Sequence, residues 1–176
     1  MALDHHRTLG HEDEDAGLTM VLDGEDATAA LAARLAALAR PGDVIALKGP
    51  LGVGKTTFAR FFLHALGVEE DIPSPTFALV QTYDPPAAAA PRIWHFDFYR
   101  IDSPAEAYEL GFEDAFDDDI SLIEWPEKLG SLLPEARLEL AFAFADDVQT
   151  RRLVIRPCGA TWTARTAHMA APGETP

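Results

Sequence analysis

The stretch Gly49-Pro50-Leu51-Gly52-Val53-Gly54-Lys55-Thr56 reads G-x-x-x-x-G-K-T, the pattern of a phosphate-binding P-loop. What flanks it has the right order. Asp43-Val44-Ile45-Ala46-Leu47-Lys48 is a short, mostly apolar run, as a buried parallel strand requires. Downstream, Phe58, Phe61, Phe62, Ala65 and Leu66 recur at helical spacing, and Gly67 stands where a helix stops. Strand, glycine-rich loop and helix predict an α/β nucleotide-binding domain. Glycine lets the backbone curl its N–H groups around a phosphate, and the helix N-terminus adds partial positive charge aimed at the same anion. Lys55 is placed to reach the β- and γ-phosphates, and the Thr56 hydroxyl to bind Mg²⁺.

The 176 residues fit one domain with a substantial core. No apolar run approaches a membrane span, and the acidic start, with His5, His6 and His11, is unlike a signal peptide. Cys158 has no second cysteine to pair with, so a cytoplasmic protein is expected. A net charge of −15, with Lys and Arg scattered apart from Arg151-Arg152, argues against a chain that grips nucleic acid by itself.

Residues 1–17 read as a flexible extension and 18–156 as the folded domain, with a small, polar, flexible tail over 157–176. Leu18 to Leu22 is expected to be a short strand. Capping carboxylates from Asp23 to Asp26 precede a helix with Leu31, Leu35 and Leu38 on one face. Pro73-Ser74-Pro75-Thr76 reads as a stiff loop. Phe77 to Tyr83 and Arg92 to Tyr99 read as strands, the latter with His95 and Asp97 on one face and Trp94, Phe96 and Phe98 on the other. Ser103-Pro104-Ala105-Glu106 starts a short helix that Gly111 interrupts. Ile120 to Trp125 is a strand stopped by Pro126. Leu138 to Phe144 reads as a half-exposed strand, with Arg152 to Arg156 as its hairpin partner.

A P-loop site needs a further acidic residue at the end of a neighbouring apolar strand, to hold Mg²⁺ directly or through water. Glu124 and Asp97 both fit. Ser74 and Thr76 lie where a switch segment senses the γ-phosphate, or else where hydroxyls bond their own turn. His95 is read either as orienting a carboxylate or water, or as a satisfied strand histidine. Trp125 lines the nucleotide or packs in the core. No N-K-x-D stretch follows the loop, so ATP is expected rather than GTP.

These motifs together resemble the TsaE family, also called YjeE, the bacterial ATPase of tRNA threonylcarbamoyladenosine biosynthesis. The resemblance rests on Gly49–Thr57, Ser74-Pro75-Thr76-Phe77, His95-Phe96-Asp97-Phe98-Tyr99-Arg100, Glu109-Leu110-Gly111-Phe112 and Ile123-Glu124-Trp125-Pro126-Glu127. It covers residues 18–156. It implies a single P-loop NTPase domain with a parallel central sheet extended by antiparallel strands and flanked by helices. It also implies weak ATPase activity alone, in support of a TsaB–TsaD complex that modifies the adenosine beside the anticodon, so that tRNA is met only through partners. By the same resemblance Gly49 to Thr57 cradle the phosphates of ATP or ADP, and Thr56 and Glu124 hold Mg²⁺. Lys55 and Asp97 then serve hydrolysis, Trp125 lies near the nucleotide, and Thr28 is an N-terminal nucleotide contact. The acidic extension and the alanine run 87–90 are outside the pattern.

Two other classes fit a P-loop. A small-molecule kinase would carry an arginine-rich lid, whereas only Arg92, Arg100 and Lys128 lie between Arg60 and Arg137. A non-hydrolysing nucleotide sensor would bind nucleotide and release no phosphate.

Overall fold

The computed structural model describes residues 17–87 and 90–169; the reading of 1–16 and 170–176 as flexible lies outside them. The described chain runs β1 (Leu18–Asp23), α1 (Gly24–Leu38), β2 (Val44–Lys48), α2 (Lys55–Ala65), β3 (Val80–Tyr83), β4 (Ile93–Asp97) and α3 (Pro104–Tyr108). It continues with β5 (Ile120–Glu124), β6 (Arg137–Phe144), β7 (Thr150–Cys158) and α4 (Ala160–Thr166), with 3₁₀ segments at Asp114–Phe116 and, kinked at Gly130, at Pro126–Leu132.

The seven strands form one mixed sheet in the order β1-β7-β6-β2-β5-β4-β3. The inner four, β6, β2, β5 and β4, are mutually parallel. Antiparallel strands extend both sides, β3 beside β4 and β7 then β1 beside β6. Side chains alternate across the pleat. One face of the sheet, with Ile45, Leu47, Leu122 and Ile93, packs with Leu31 and Leu35 of α1 and Phe58 and Phe62 of α2. The other, with Val44, Phe96, Phe98 and Ile123, packs with Ala107, Phe112 and Leu129. Trp94, Phe96 and Phe98 stack along this second face, centroids 5.8 and 5.3 Å apart. His95 and Asp97 are therefore left on the first face, as their alternation predicts.

Parallel pairing matters for function. β2, β4 and β5 end at the same edge of the sheet, and Asp97 pairs in register with Glu124. Open α/β sheets place ligands at this carboxyl edge.

Four expectations are corrected. The strand expected from Phe77 begins only at Val80: Pro75 to Phe77 form a turn, and Leu79 takes a left-handed φ of 67°. β6 is not half-exposed along its length, because Leu138, Glu139 and Leu140 are all buried between β2 and β7. Glu139 tolerates this by bonding Lys48 at 2.8 Å and Arg137 at 2.6 Å. At the head of α1, Asp23 holds the N-cap position without a side-chain cap, and Glu25 and Asp26 instead meet the helix dipole from the first turn.

The tail expected to be flexible from 157 is structured to 169. β7 runs to Cys158, α4 follows, and Trp162 and Met169 are buried. The guanidinium of Arg165 lies 3.9 Å from the Trp162 ring and clamps Asp43 through two bonds of 2.6 Å. It also donates to the Leu38 carbonyl at 2.7 Å, tying α4 to the α1–β2 turn.

Candidate functional site

The site is built at the loop between β2 and α2. At Gly49 φ is 133°, and a Cβ there would collide with the Phe142 carbonyl oxygen. Gly54, with φ 113°, holds the N-cap position of α2, and no side chain caps that helix. Among the described residues no carboxylate or hydroxyl caps the first N–H groups of α2, which face the loop cavity in an arrangement suited to an anion.

Lys55 opens α2 and folds back. Its Nζ donates to the carbonyls of Gly49 (2.7 Å) and Pro50 (2.9 Å) and lies 4.1 Å from the centre of the Trp125 ring. Burial pulls the ammonium below its ordinary pKa, while the charges of Glu124, Asp97 and Glu127 oppose the shift. Trp125 sits just past β5 with φ 58°, and its ring leans on Tyr99 at 4.9 Å.

The next residue, Thr56, donates its hydroxyl hydrogen to Glu124, with Oγ1 2.8 Å from Oε1 and 3.1 Å from Oε2. Glu124 is buried and also bonded by His95 Nε2 at 2.9 Å. Next to it, Asp97 has both oxygens engaged. Oδ1 accepts the Tyr99 N–H at 3.0 Å, and Oδ2 accepts the Thr76 hydroxyl at 2.5 Å. Ser74 bonds Thr76 at 2.7 Å and reaches Asp97 at 3.4 Å. The left-handed turn at Leu79 makes this possible: its N–H closes on the Pro75 carbonyl and its own carbonyl accepts the Asp97 N–H.

Two cavities meet at the loop. The smaller, about 180 Å³, is lined by Lys55, Thr56, Ser74, Thr76, Asp97, Tyr99, Glu124 and Trp125 together with Leu51, Gly52 and Gly54. The larger, about 460 Å³, shares Gly52, Gly54 and Thr57 and is walled by Thr28, Val53, Phe142, Gln149 and Arg151. Thr28 is on the α1 face of this second cavity, its hydroxyl bonded to the Gly24 carbonyl. The loop residues, Thr28, Ser74, Thr76, Asp97, Glu124 and Trp125 therefore all lie at the loop or its two cavities, while His95 is buried behind Glu124. Pro50 and Gly49 take part through their carbonyls.

Arg151 was not singled out for this site by the sequence. Its Nε donates to the Val53 carbonyl at 2.9 Å, so β7 braces the loop from the side of the larger cavity. The signal available was the Arg151-Arg152 pair on a strand otherwise read as plain hairpin. Phe142 and Gln149 gave none.

The oxygen donors lining the smaller cavity are hydroxyls and carboxylates, hard ligands. Among the described residues no group of three or more His, Cys, Asp or Glu gathers as a self-sufficient metal cage. This suits Mg²⁺, which takes one or two protein oxygens and completes its shell with water and phosphate. It does not suit zinc.

Comparison with known proteins agrees with this architecture. Residues 22–153 match the family model described as threonylcarbamoyl adenosine biosynthesis protein TsaE. The chain is 41% identical over 129 residues to the tRNA threonylcarbamoyladenosine biosynthesis protein TsaE of Rickettsia felis, covering 73% of this chain and 74% of that one. With the protein of the same name from Bacillus subtilis it shares 36% over 121 residues, 68% of this chain and 73% of the relative. The crystal structure of Bacillus subtilis YdiB superposes with a TM-score of 0.73 at 28% identity, over 86% of this chain and 93% of the other.

Proposed function

The chain belongs to the TsaE family of threonylcarbamoyl adenosine biosynthesis proteins, and from that premise we propose that it is a P-loop, Mg²⁺-dependent ATPase supporting a TsaB–TsaD complex. The observation that carries the reading is the Thr56–Glu124 hydrogen bond. It joins the first turn of the loop helix to the end of the adjacent strand, inside the cavity that Lys55 and Asp97 also line.

In this reading Thr56 and Glu124 hold the ion, and the glycine loop with the uncapped start of α2 binds the triphosphate. The larger cavity, beside Thr28 and Arg151, takes the nucleoside. Bound Mg²⁺ neutralises charge building on the transferring phosphate. Lys55 supplies a fixed cation to the β- and γ-phosphates, and Trp125 backs its ammonium. Asp97 would orient the attacking water or help Thr56 and Glu124 hold the ion. The water oxygen bonds the γ-phosphorus, the bond to the β–γ bridging oxygen breaks, the water's protons leave with the phosphate or pass to solvent, and ADP and phosphate leave. Asp97 sits 2.5 Å from Thr76, so its freedom depends on the Ser74–Thr76 loop. That dependence supports a switch role for the loop. The net charge of −15 supports action on tRNA only through partners.

The test is phosphate release from ATP by the purified chain, alone and with TsaB–TsaD. Slow release that rises with the partners is expected. Tight nucleotide binding with no release under either condition would replace the ATPase with a sensor. Label from the γ-phosphate on an acceptor molecule would make the chain a kinase.

A further inference from the structure

His95 has no task in the reading above, yet its environment is specific. The ring is fully buried, and it sits opposite Leu122 in the β4–β5 register, one pleat back from the Asp97–Glu124 pair. Nε2 lies 2.9 Å from Glu124 Oε1, the same oxygen that receives the Thr56 hydroxyl at 2.8 Å. Nδ1 is buried with no hydrogen-bond partner among the described residues.

That asymmetry locates the proton. A buried N–H without an acceptor forfeits its hydration outright, whereas Nε2 already faces a carboxylate. Nε2 therefore carries a hydrogen and donates it to Glu124. A histidine that only filled the core would have no need to aim one nitrogen at the ion-binding carboxylate and leave the other unpaired.

We propose that His95 is a positioning residue for Glu124: its Nε2–H fixes Oε1, aims the carboxylate at Thr56, and so sets the chain's affinity for the divalent cation that accompanies nucleotide. The inference rests on the Mg²⁺ reading above and deepens it. Hydrogen-bond partners behind a ligating group commonly change metal affinity by roughly 10- to 100-fold when removed.

Two variants separate the N–H from the bulk of the ring. His95→Leu removes the donor, and His95→Gln returns an N–H at similar reach. ADP binding is measured by calorimetry with Mg²⁺ and with EDTA, alongside thermal melting. His95→Leu is expected to weaken the Mg²⁺-supported affinity by roughly tenfold or more, with binding in EDTA little changed and His95→Gln close to wild type. Equal losses with and without Mg²⁺, no loss at all, or a His95→Gln protein as poor as His95→Leu would each overturn the proposal. Wild-type binding indifferent to Mg²⁺ would instead remove the reading beneath it. Imidazole ¹⁵N shifts of the unliganded wild type check the tautomer without any variant. A protonated Nδ1 beside a bare Nε2 overturns the proposal by itself.

Discussion

Asp97 and Lys55 show how single side chains at this site are held by the chain's own groups. Lys55 rests on two carbonyl oxygens of its own loop, so leaving them for phosphate exchanges neutral partners for charged ones, the stronger kind of bond. Asp97 is held by a backbone N–H on one oxygen and a hydroxyl on the other. Asn at this position keeps the Tyr99 bond through Oδ1, and Thr76 can turn to accept from the amide. The fold should survive, and the full negative charge that the proposed mechanism uses to orient water is lost. Asp97→Asn is therefore expected to keep ATP affinity within a few-fold but to lose partner-stimulated hydrolysis by about 10²-fold. Single-turnover phosphate release with TsaB–TsaD, with melting as the control, decides this. Wild-type release would remove Asp97 from the chemistry, and lost ATP binding would make it a residue that builds the site.

At the scale of elements, the legible parts were those whose signal is local. The β2–loop–α2 unit and the β4 and β5 alternation could be read because period and glycine placement lie within a few residues. Lys55, Thr56, Glu124 and Asp97 came with them. The start of β3 could not be read, since a leucine in a left-handed turn carries no mark in sequence. Most of the larger cavity was hidden too: Thr28 came only through the family resemblance, and Phe142 and Arg151 stand on elements far from it in sequence. α4 was hidden for a third reason. Its sequence is small and polar apart from Trp162, and what docks it is Arg165 reaching 122 residues back to Asp43. Both side chains of that ion pair are under a tenth exposed. Arg165→Ala leaves the Asp43 carboxylate buried with the Arg40 N–H as its remaining recorded bond, and should cost about 3–5 kcal/mol. Urea melting measures this, and a loss under about 0.5 kcal/mol, the scale of ordinary surface changes, would mean α4 contributes little to the fold. Glu139 on β6 gives a pH-dependent counterpart. Burial raises its pKa, but bonds to Lys48 and Arg137 outweigh that and hold it below its ordinary value of 4.5. A depressed carboxylate stabilises the fold above its unfolded pKa and loses that contribution as pH falls through the folded value. Glu139→Gln should thus be less stable at pH 7 by about 1–3 kcal/mol, with the gap to wild type closing below pH 4.5. Melting curves across that range check it, and a gap independent of pH would contradict the ion-pair account.

For the whole molecule, charge and site placement bear on how a small α/β domain enters a tRNA modification. The sheet gathers its ligand-facing groups at one carboxyl edge, and basic side chains near that edge are already committed. Lys55 is turned to its loop, Arg151 bonds Val53, and the Arg100 guanidinium stacks 4.3 Å from the Phe77 ring. Elsewhere, Lys48 and Arg137 are bound to Glu139, Arg92 to Asp84 and Arg165 to Asp43. With 14 basic against 29 acidic residues, little cationic surface remains to neutralise a row of phosphates. Non-specific RNA affinity comes mostly from releasing counterions at such contacts, so a chain of this charge gains little from them and pays long-range repulsion. The purified protein is therefore expected to show no retention of tRNA at physiological salt in a filter-binding or gel-shift assay, with or without MgATP. Lowering the salt should not rescue binding, because weaker screening strengthens the repulsion between net-negative partners. tRNA should be retained only when TsaB–TsaD is added. Direct binding by the chain alone that tightens as salt falls would overturn the view that it reaches RNA through its partners.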